Sequence, residues 1–512
     1  MPAPTRSRGI DRAARTAAKG PVQRAWTLDR YTLPPLQPLS ADGLDRIHEA
    51  SLRILEEIGL DLLSPAMRSI AKAQGADVCA GTERVRFARD VVLHHLAQAP
   101  ERFTIHGRGP GRDLDIGGDA AVFGCVSSAP NCSGLGQERH SGTFEDFRNF
   151  VRLGHALNAV HFFGGYPVEP LDVAPSVRHL DCLRAFVHLT DKVFHPYCLG
   201  RERIEDALDI VCIAKGLSRE QLRTHACMYT VVNTSSPLRI EGAMLDGMIV
   251  MARHRQPICI TPFTLAGAMA PVTLAGALAQ QNAEALAGIV LVQMIEPGAP
   301  VLYGAYTSNV DMKTGAPAMG TPEYFRCVLA SGQLARRYRL PYRSSGGNAS
   351  TSPDAQSIYE TSFALWGAVL GQANLVMHAA GWLEGGLCAS FEKLVLDAEV
   401  LQGLAECFRP IDVSEGALAL EAIRDVGPGG HFFGTSHTLA RYQDAFYQPL
   451  VSDWQNHGSW VAGGSRDALA RAGSIARQLI DSHRPQTIDP AVAEALDAFV
   501  ARRKEEGGVR ES

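Results

Sequence analysis

The sequence predicts an α/β fold: a (β/α)8 TIM barrel preceded by a helical and small-β accessory layer and followed by a helical extension. Three observations carry this expectation. Eight short apolar segments recur between about Val122 and Ala380. Each is followed by a stretch with apolar residues three and four apart, such as Phe144, Phe147, Val151, Leu153 and Leu157. The repeat is roughly 30 to 45 residues long, enough for a strand, a crossover helix and a return.

Taken in order, residues 1–35 read as a disordered tail, because Met1 to Trp26 is rich in Arg and Ala with one acidic residue and no apolar run. Residues 36–118 read as a helix plus a small β region. Leu36 to Gly59 has the caps of a helix, Ser40 or Asp42 at its start and Gly59 at its end, and VRFA, RFTIHG and DLDIG carry short strand signals. The barrel spans 119–388. Its strands are AVFGC (Ala121–Cys125), VHFFGGY (Val160–Tyr166), KVFHPYCL (Lys192–Leu199), HACMYTVVN (His225–Asn233), PICITPF (Pro257–Phe263), PVLYGAY (Pro300–Tyr306), LPYRSS (Leu340–Ser345) and ANLVMHAA (Ala373–Ala380). They are apolar rather than alternating, as parallel strands covered on both faces must be. Residues 389–503 read as a helical C-terminal extension with a Gly-rich loop at 427–438.

Composition bounds the function. The chain has 512 residues, against about 250 for a bare barrel, so material is added at both ends. A hydrophobic fraction of 46%, a charged fraction of 20% and a net charge of −5 describe a soluble globular protein with no electrostatic footprint for nucleic acid. The richest apolar run, Ile258 to Ala279, is broken by Pro262, Pro271, Gly and Thr, so no membrane span is expected. Eleven cysteines without a CxxC pair, several inside apolar strands, read as buried thiols of a reducing, cytoplasmic compartment. His195 with Cys198 and His431 with His437 lack a second ligand pair, so no metal site is expected. Nucleotide-binding glycine loops and a GxSxG elbow are missing from the sequence, which excludes those classes.

The turn from strand five into its helix is nearly all small residues, and small side chains let either a ligand or a tightly packed neighbour approach the backbone. Together with YRSSGG (Tyr342–Gly347), PDAQSIYE (Pro353–Glu360), HAAGWLEGGL (His378–Leu387) and the segment Gly429–Trp454, the stretch Ile260–Gly315 resembles the trimethylamine methyltransferase family. The resemblance covers about Leu36 to Ala472. It implies a barrel enzyme that passes a methyl group from a methylated amine to the cobalt of a separate corrinoid protein, with no tightly bound cofactor of its own. The founding members carry pyrrolysine, and this chain has none. It therefore resembles the quaternary-amine branch, acting on glycine betaine-like substrates, with trimethylamine as the alternative substrate and non-catalytic binding of betaine-like solutes or of the corrinoid protein as the alternative role. A homo-oligomer is expected.

A quaternary ammonium leaves as a neutral tertiary amine that needs no proton, so the chemistry asks for positioning rather than acid catalysis. Aromatic faces are the natural cage. Tyr166, Phe263, Tyr303, Tyr306 and Trp382 lie at or just past strand ends, where barrel sites are built. His378, Asn233, Ser344 and Ser345 are candidate donors to a substrate carboxylate, and Glu384 is a candidate to face the ammonium. His431, Phe432 and Phe433, in the Gly-rich loop, read as a lid or a docking surface for the corrinoid protein.

Overall fold

Eight strands of the main sheet alternate with eight helices along the middle of the chain, with further strands such as Tyr306–Val310 between them. This computed structural model describes residues 21–510. The strands are β1 (Ala120–Cys125), β2 (Phe162–Phe163), β3 (Val193–Phe194), β4 (Thr230–Thr234), β5 (Ile258–Ala266), β6 (Val301–Gly304), β7 (Tyr342–Ser345) and β8 (Leu375–Ala380). The helices are α1 (Phe144–Ala156), α2 (Pro175–Leu189), α3 (Arg201–Lys215), α4 (Gly242–Arg253), α5 (Leu274–Ile295), α6 (Pro322–Arg337), α7 (Ala355–Leu370) and α8 (Phe391–Cys407). The protein is a mixed α/β fold around a largely parallel sheet.

Parallel pairing runs in the order β3-β2-β1-β8-β7-β6-β5-β4. Among the described residues no backbone ladder joins β3 to β4. Side chains bridge that seam instead: the Val231 N–H donates to His195 Nε2 at 2.9 Å, and Thr230 Oγ1 donates to the Pro196 carbonyl at 2.8 Å. Since the other ring nitrogen of His195 lies 2.9 Å from the Gly164 carbonyl, its proton sits on Nδ1 and its lone pair on Nε2.

Two apolar clusters follow from strand parity. Val122, Phe162, Val193, Val231, Cys259, Leu302, Leu375 and Met377 gather on one side of the sheet, joined by Ile105, Leu114 and Ile116 from the hairpin Phe103–Ile105/Leu114–Ile116. The larger cluster lies between the other face and the helices. Local chemistry starts the helices where it should. Thr143 and Asp146 form a capping box on α1, Thr321 caps α6 with Pro322 in its first turn, and Asp354 caps α7.

The N-terminal helix occupies Ala41–Arg53 with Ser40 as its cap, runs on through a π turn at Ile54–Ile58, and stops at Gly59, whose φ is +76°. It packs on α5, where Asn282 donates to Ser51 Oγ and Ser51 Oγ reaches the Ala279 carbonyl, both at 2.9 Å. α5 is covered by the sheet below and the N-terminal layer above, and a Cβ on Gly288 would sit 2.5 Å from Ile260. The turn before α5, residues 267–273, is by contrast largely exposed.

Two boundaries differ from expectation. Residues 1–20 lie outside the described residues, but the rest of the supposed tail is built in: Asp29 and Arg30 pair antiparallel with Ala121 and Ala120, and Tyr31 donates to the Ala373 carbonyl at 2.6 Å. Composition misled here because backbone pairing at a strand end needs no apolar run. The expected C-terminal extension begins with α8, which packs on β8 as the eighth helix of the repeat. Beyond α8 the chain passes through a segment rich in exposed apolar groups and then forms two long helices, Ala468–Asp481 against α8 and α1 and Pro490–Glu505 against α2 and α3.

Candidate functional site

At the C-terminal ends of the strands lies a cavity of about 300 Å³. β1, β2, β3, β4, β7 and β8 or the residues just past them all contribute to its wall, through Ser127 and Ser128, Gly164, His195 and Tyr197, Val231 and Asn233, Arg343, and Met377 and His378. Glu169, in the loop after β2, closes one side.

The backbone is bent to present these groups. β8 shifts register between Val376 and Ala380, and His378 within that bulge has φ +52°, a left-handed conformation that costs a non-glycine residue about 1–3 kcal/mol. The result turns its imidazole into the cavity, with Nδ1 3.2 Å from Ser127 Oγ and the ring 4.2 Å from that of Trp382. Gly165, at φ +135°, lets the Tyr197 ring pass where a Cβ would lie 2.7 Å away. Tyr197 in turn accepts from the Tyr166 N–H at 3.1 Å and stands 3.0 Å from Ser128 Oγ.

Electrostatically the cavity is divided. Burial holds His195 down at about 4 and pushes His378 well below the usual imidazole range, with Arg343 adding to both, so both rings are neutral at neutral pH. Burial raises the Glu169 carboxyl, against the pull of Tyr197 and of Arg178 at 3.6 Å. Register fixes where Arg343 points. It aligns with Leu375 and Ser345 with Met377, both members of the inner cluster, so Arg343 and Ser345 face inward while Tyr342 and Ser344 face the helices.

The sequence-named residues divide accordingly. His378 and Asn233 line the cavity, while Ser345 lies on the inner face of β7 without lining it. Tyr166 lines an adjoining hollow of about 280 Å³ with its ring 4.4 Å from that of Tyr197, and Trp382 stands behind His378. Tyr303 is turned out of the site: its hydroxyl donates to Asn282 Oδ1 and accepts from Gln281, both at 2.8 Å on α5. Ser344 likewise faces Tyr324 and Tyr342. Tyr306 and Phe263 stack on each other at 5.1 Å, and the Tyr306 hydroxyl is spent on Met319. Glu384 is paired with Arg139 at 2.9 Å. His431 lines a separate hollow of about 860 Å³ formed within residues 415–441, while Phe433 is 84% exposed. Thus none of the five aromatic candidates lines this cavity, and Tyr303 is lost to it because strand parity sends alternate side chains to the helix layer. Sequence reasoning missed Tyr197, His195, Glu169 and Arg343. Arg343 sits inside YRSSGG, directly beside the two serines that the sequence marks as candidate donors.

Cys132 Sγ, His140 Nε2 and Asp146 Oδ2 form the one group among the described residues close enough to share a metal ion, a trio the sequence did not suggest. Asp146 already accepts from the N–H and Oγ1 of Thr143 in the α1 cap. Among the described residues no helix is long and apolar enough to cross a membrane.

Residues 5–508 match the family described as trimethylamine methyltransferase (MTTB). The chain belongs to this family. It is 35% identical over 477 residues to the glycine betaine methyltransferase of Desulfitobacterium hafniense strain Y51, covering 93% of this chain and 99% of that protein. To the trimethylamine methyltransferase MttB of Desulfitobacterium hafniense strain DSM 10664 / DCB-2 it is 28% identical over 481 residues, covering 93% of this chain and 96% of the other. Among solved structures it is similar to the monomethylamine methyltransferase MtmB of Methanosarcina barkeri, at 11% identity and a TM-score of 0.47, over 93% of this chain and 90% of that one. The family and the two Desulfitobacterium relatives are named as methyltransferases, so this MTTB-family chain is a methyltransferase.

Proposed function

We propose that the protein moves a methyl group from a glycine betaine-like quaternary amine to the Co(I) of a partner corrinoid protein. The observation that carries this is the 35% identity to a glycine betaine methyltransferase across nearly the whole of both chains. The missing pyrrolysine and the lower, 28% identity to trimethylamine enzymes agree with it.

The eight-strand order, the shared inner cluster and the side-chain bridge across the β3–β4 seam support reading the sheet as a closed (β/α)8 barrel with its site at the C-terminal mouth. A cavity of about 300 Å³ suits a small solute, and a corrinoid ring is several times larger. A corrinoid held by a partner protein would meet the substrate at the mouth. When present it supplies the nucleophile and takes the methyl group.

The chain's own residues bind and orient. Tyr197, with Tyr166 behind it, offers an aromatic face to the ammonium, and each such face contributes roughly 0.5–2 kcal/mol. Asn233 and His378, the latter neutral and tethered to Ser127, provide polar contacts without competing as proton donors of consequence, since the tertiary amine leaves with the bonding electron pair and needs no proton. Holding one N–CH3 bond in line with the approaching nucleophile is the catalytic task.

The test is cobalt methylation followed by visible absorbance with a reduced corrinoid protein. Glycine betaine is expected to support it and trimethylamine is not. Turnover of trimethylamine alone overturns the quaternary-amine reading.

A further inference from the structure

A substrate that is a cation presents this cavity with a difficulty, because the cavity already contains one. Arg343 is 3% exposed and makes no side-chain hydrogen bond or ion pair among the described residues. Its Nε and Nη1 are both buried without an acceptor. Leaving such a group unpaired is among the most expensive states a protein interior can hold. Two hydroxyls nearby share the condition. Ser345 Oγ, two residues along on the same face of β7, and the Tyr229 hydroxyl, whose ring belongs to the inner cluster and feels the Arg343 charge, are also buried without partners. Of these three groups Arg343 lines the cavity, where its guanidinium is a buried donor without an acceptor. The carboxylate in the wall, Glu169, is engaged by Arg178 and forms no ion pair with Arg343.

We propose that Arg343 is a carboxylate anchor and that the site is built for zwitterions: quaternary amines carrying a carboxylate a few bonds from nitrogen. The carboxylate offers about four acceptor positions to the guanidinium. The ammonium then lies on the side of Glu169 and Tyr197, where opposite charge and an aromatic face are available, and its N-methyl groups point to the mouth. One molecule satisfies both ends of a divided cavity. A quaternary amine without a carboxylate leaves Arg343 unpaired and adds a second positive charge beside it. At about 5 Å and an effective dielectric constant of about 20, that repulsion weakens binding on the order of 100-fold. This deepens the methyl-transfer reading and rests on it for the substrate's identity, while the anchor itself is a matter of binding.

Binding therefore tests it without cobalt. Titration calorimetry on the purified full chain uses three probes: glycine betaine, choline, and 3,3-dimethylbutyrate, the carbon isostere of glycine betaine that keeps the carboxylate and loses the positive charge. The native protein is expected to bind glycine betaine at least 100-fold more tightly than choline, and to bind 3,3-dimethylbutyrate more tightly than choline. Arg343→Gln is expected to weaken both carboxylates about 100-fold or more and to leave choline binding equal or tighter. The native comparison does not depend on how the variant folds. Equal affinity of the native protein for choline and glycine betaine, or an Arg343→Gln protein that keeps glycine betaine within tenfold, overturns the anchor. If the carboxylates bind through Arg343 but no corrinoid protein is methylated, the anchor stands and the methyl-transfer reading falls. If choline and glycine betaine methylate cobalt equally well, the reverse holds.

Discussion

Two buried cations on the same sheet are held in opposite ways. Lys192, at the start of β3, is 2% exposed, and Arg343 on β7 is 3% exposed. Lys192 donates to the carbonyls of Gly154, Leu157 and Val160 at 2.8, 2.9 and 2.5 Å. Those carbonyls end α1 and the turn after it, where the helix leaves acceptors free and its dipole is negative. Arg343 has no such partner. Equal burial with unequal satisfaction separates a group that serves the fold from one that serves a ligand. A satisfied buried charge is masonry. An unsatisfied one stores an interaction for something that arrives later.

The contrast breaks most visibly at Lys192. Replacing it in Lys192→Met strips three buried carbonyls of their donor and is expected to cost about 4 kcal/mol of stability. Chemical denaturation measures this, and a loss below about 1 kcal/mol would mean that the lysine is as dispensable to the fold as Arg343.

Next comes the seam. With His195 held at about 4 in the folded protein, against about 6.5 for a free imidazole, the unfolded chain takes up a proton first as pH falls. Stability from this residue is therefore complete above about pH 6.5 and drains away as the pH drops toward 4, by about 3 kcal/mol. Protonation at Nε2 also removes the acceptor of the Val231 N–H. Denaturation midpoints between pH 7 and 4 should fall less steeply in His195→Gln, and identical slopes would show that His195 plays no part in the acid response.

Arg343→Met is expected to do the opposite of Lys192→Met. Removing an unpaired buried charge leaves stability unchanged or raises it by about 1–2 kcal/mol, measured by the same denaturation series. A loss as large as that at Lys192 would show that the guanidinium has a structural partner and erase the contrast. The smallest effect belongs to Glu384, whose charge is already committed to half-exposed Arg139. Glu384→Gln should change stability and glycine betaine affinity by less than about 1 kcal/mol each.

Much of the fold was legible in the chain because it rests on local pattern. Each of the eight apolar segments overlaps a strand, and Ser40 and Gly59 bound the N-terminal helical segment. The pairing of Asp29–Arg30 was not legible, since a two-residue strand carries no periodicity. The aromatic cage fails for a different reason. Tyr303 lies next to the end of β6 as expected, whereas Tyr306 opens a further strand, Tyr306–Val310, and nearness to a strand end says nothing about which face a ring takes.

By itself, the sequence determined the βα repeat, the family segments and the strand ends at which a site must form, because hydrophobic spacing and caps act between residues a few positions apart. Only the tertiary structure decided that Arg343 and Ser345 turn inward and Tyr303 and Ser344 do not, because facing follows from register with Leu375 and Met377 on the next strand. It also decided that His378 bulges into the cavity and that Arg343 goes unpaired. Both are relations among residues distant in the chain, and whether a charge has a partner is a property of its surroundings, which no stretch of sequence contains.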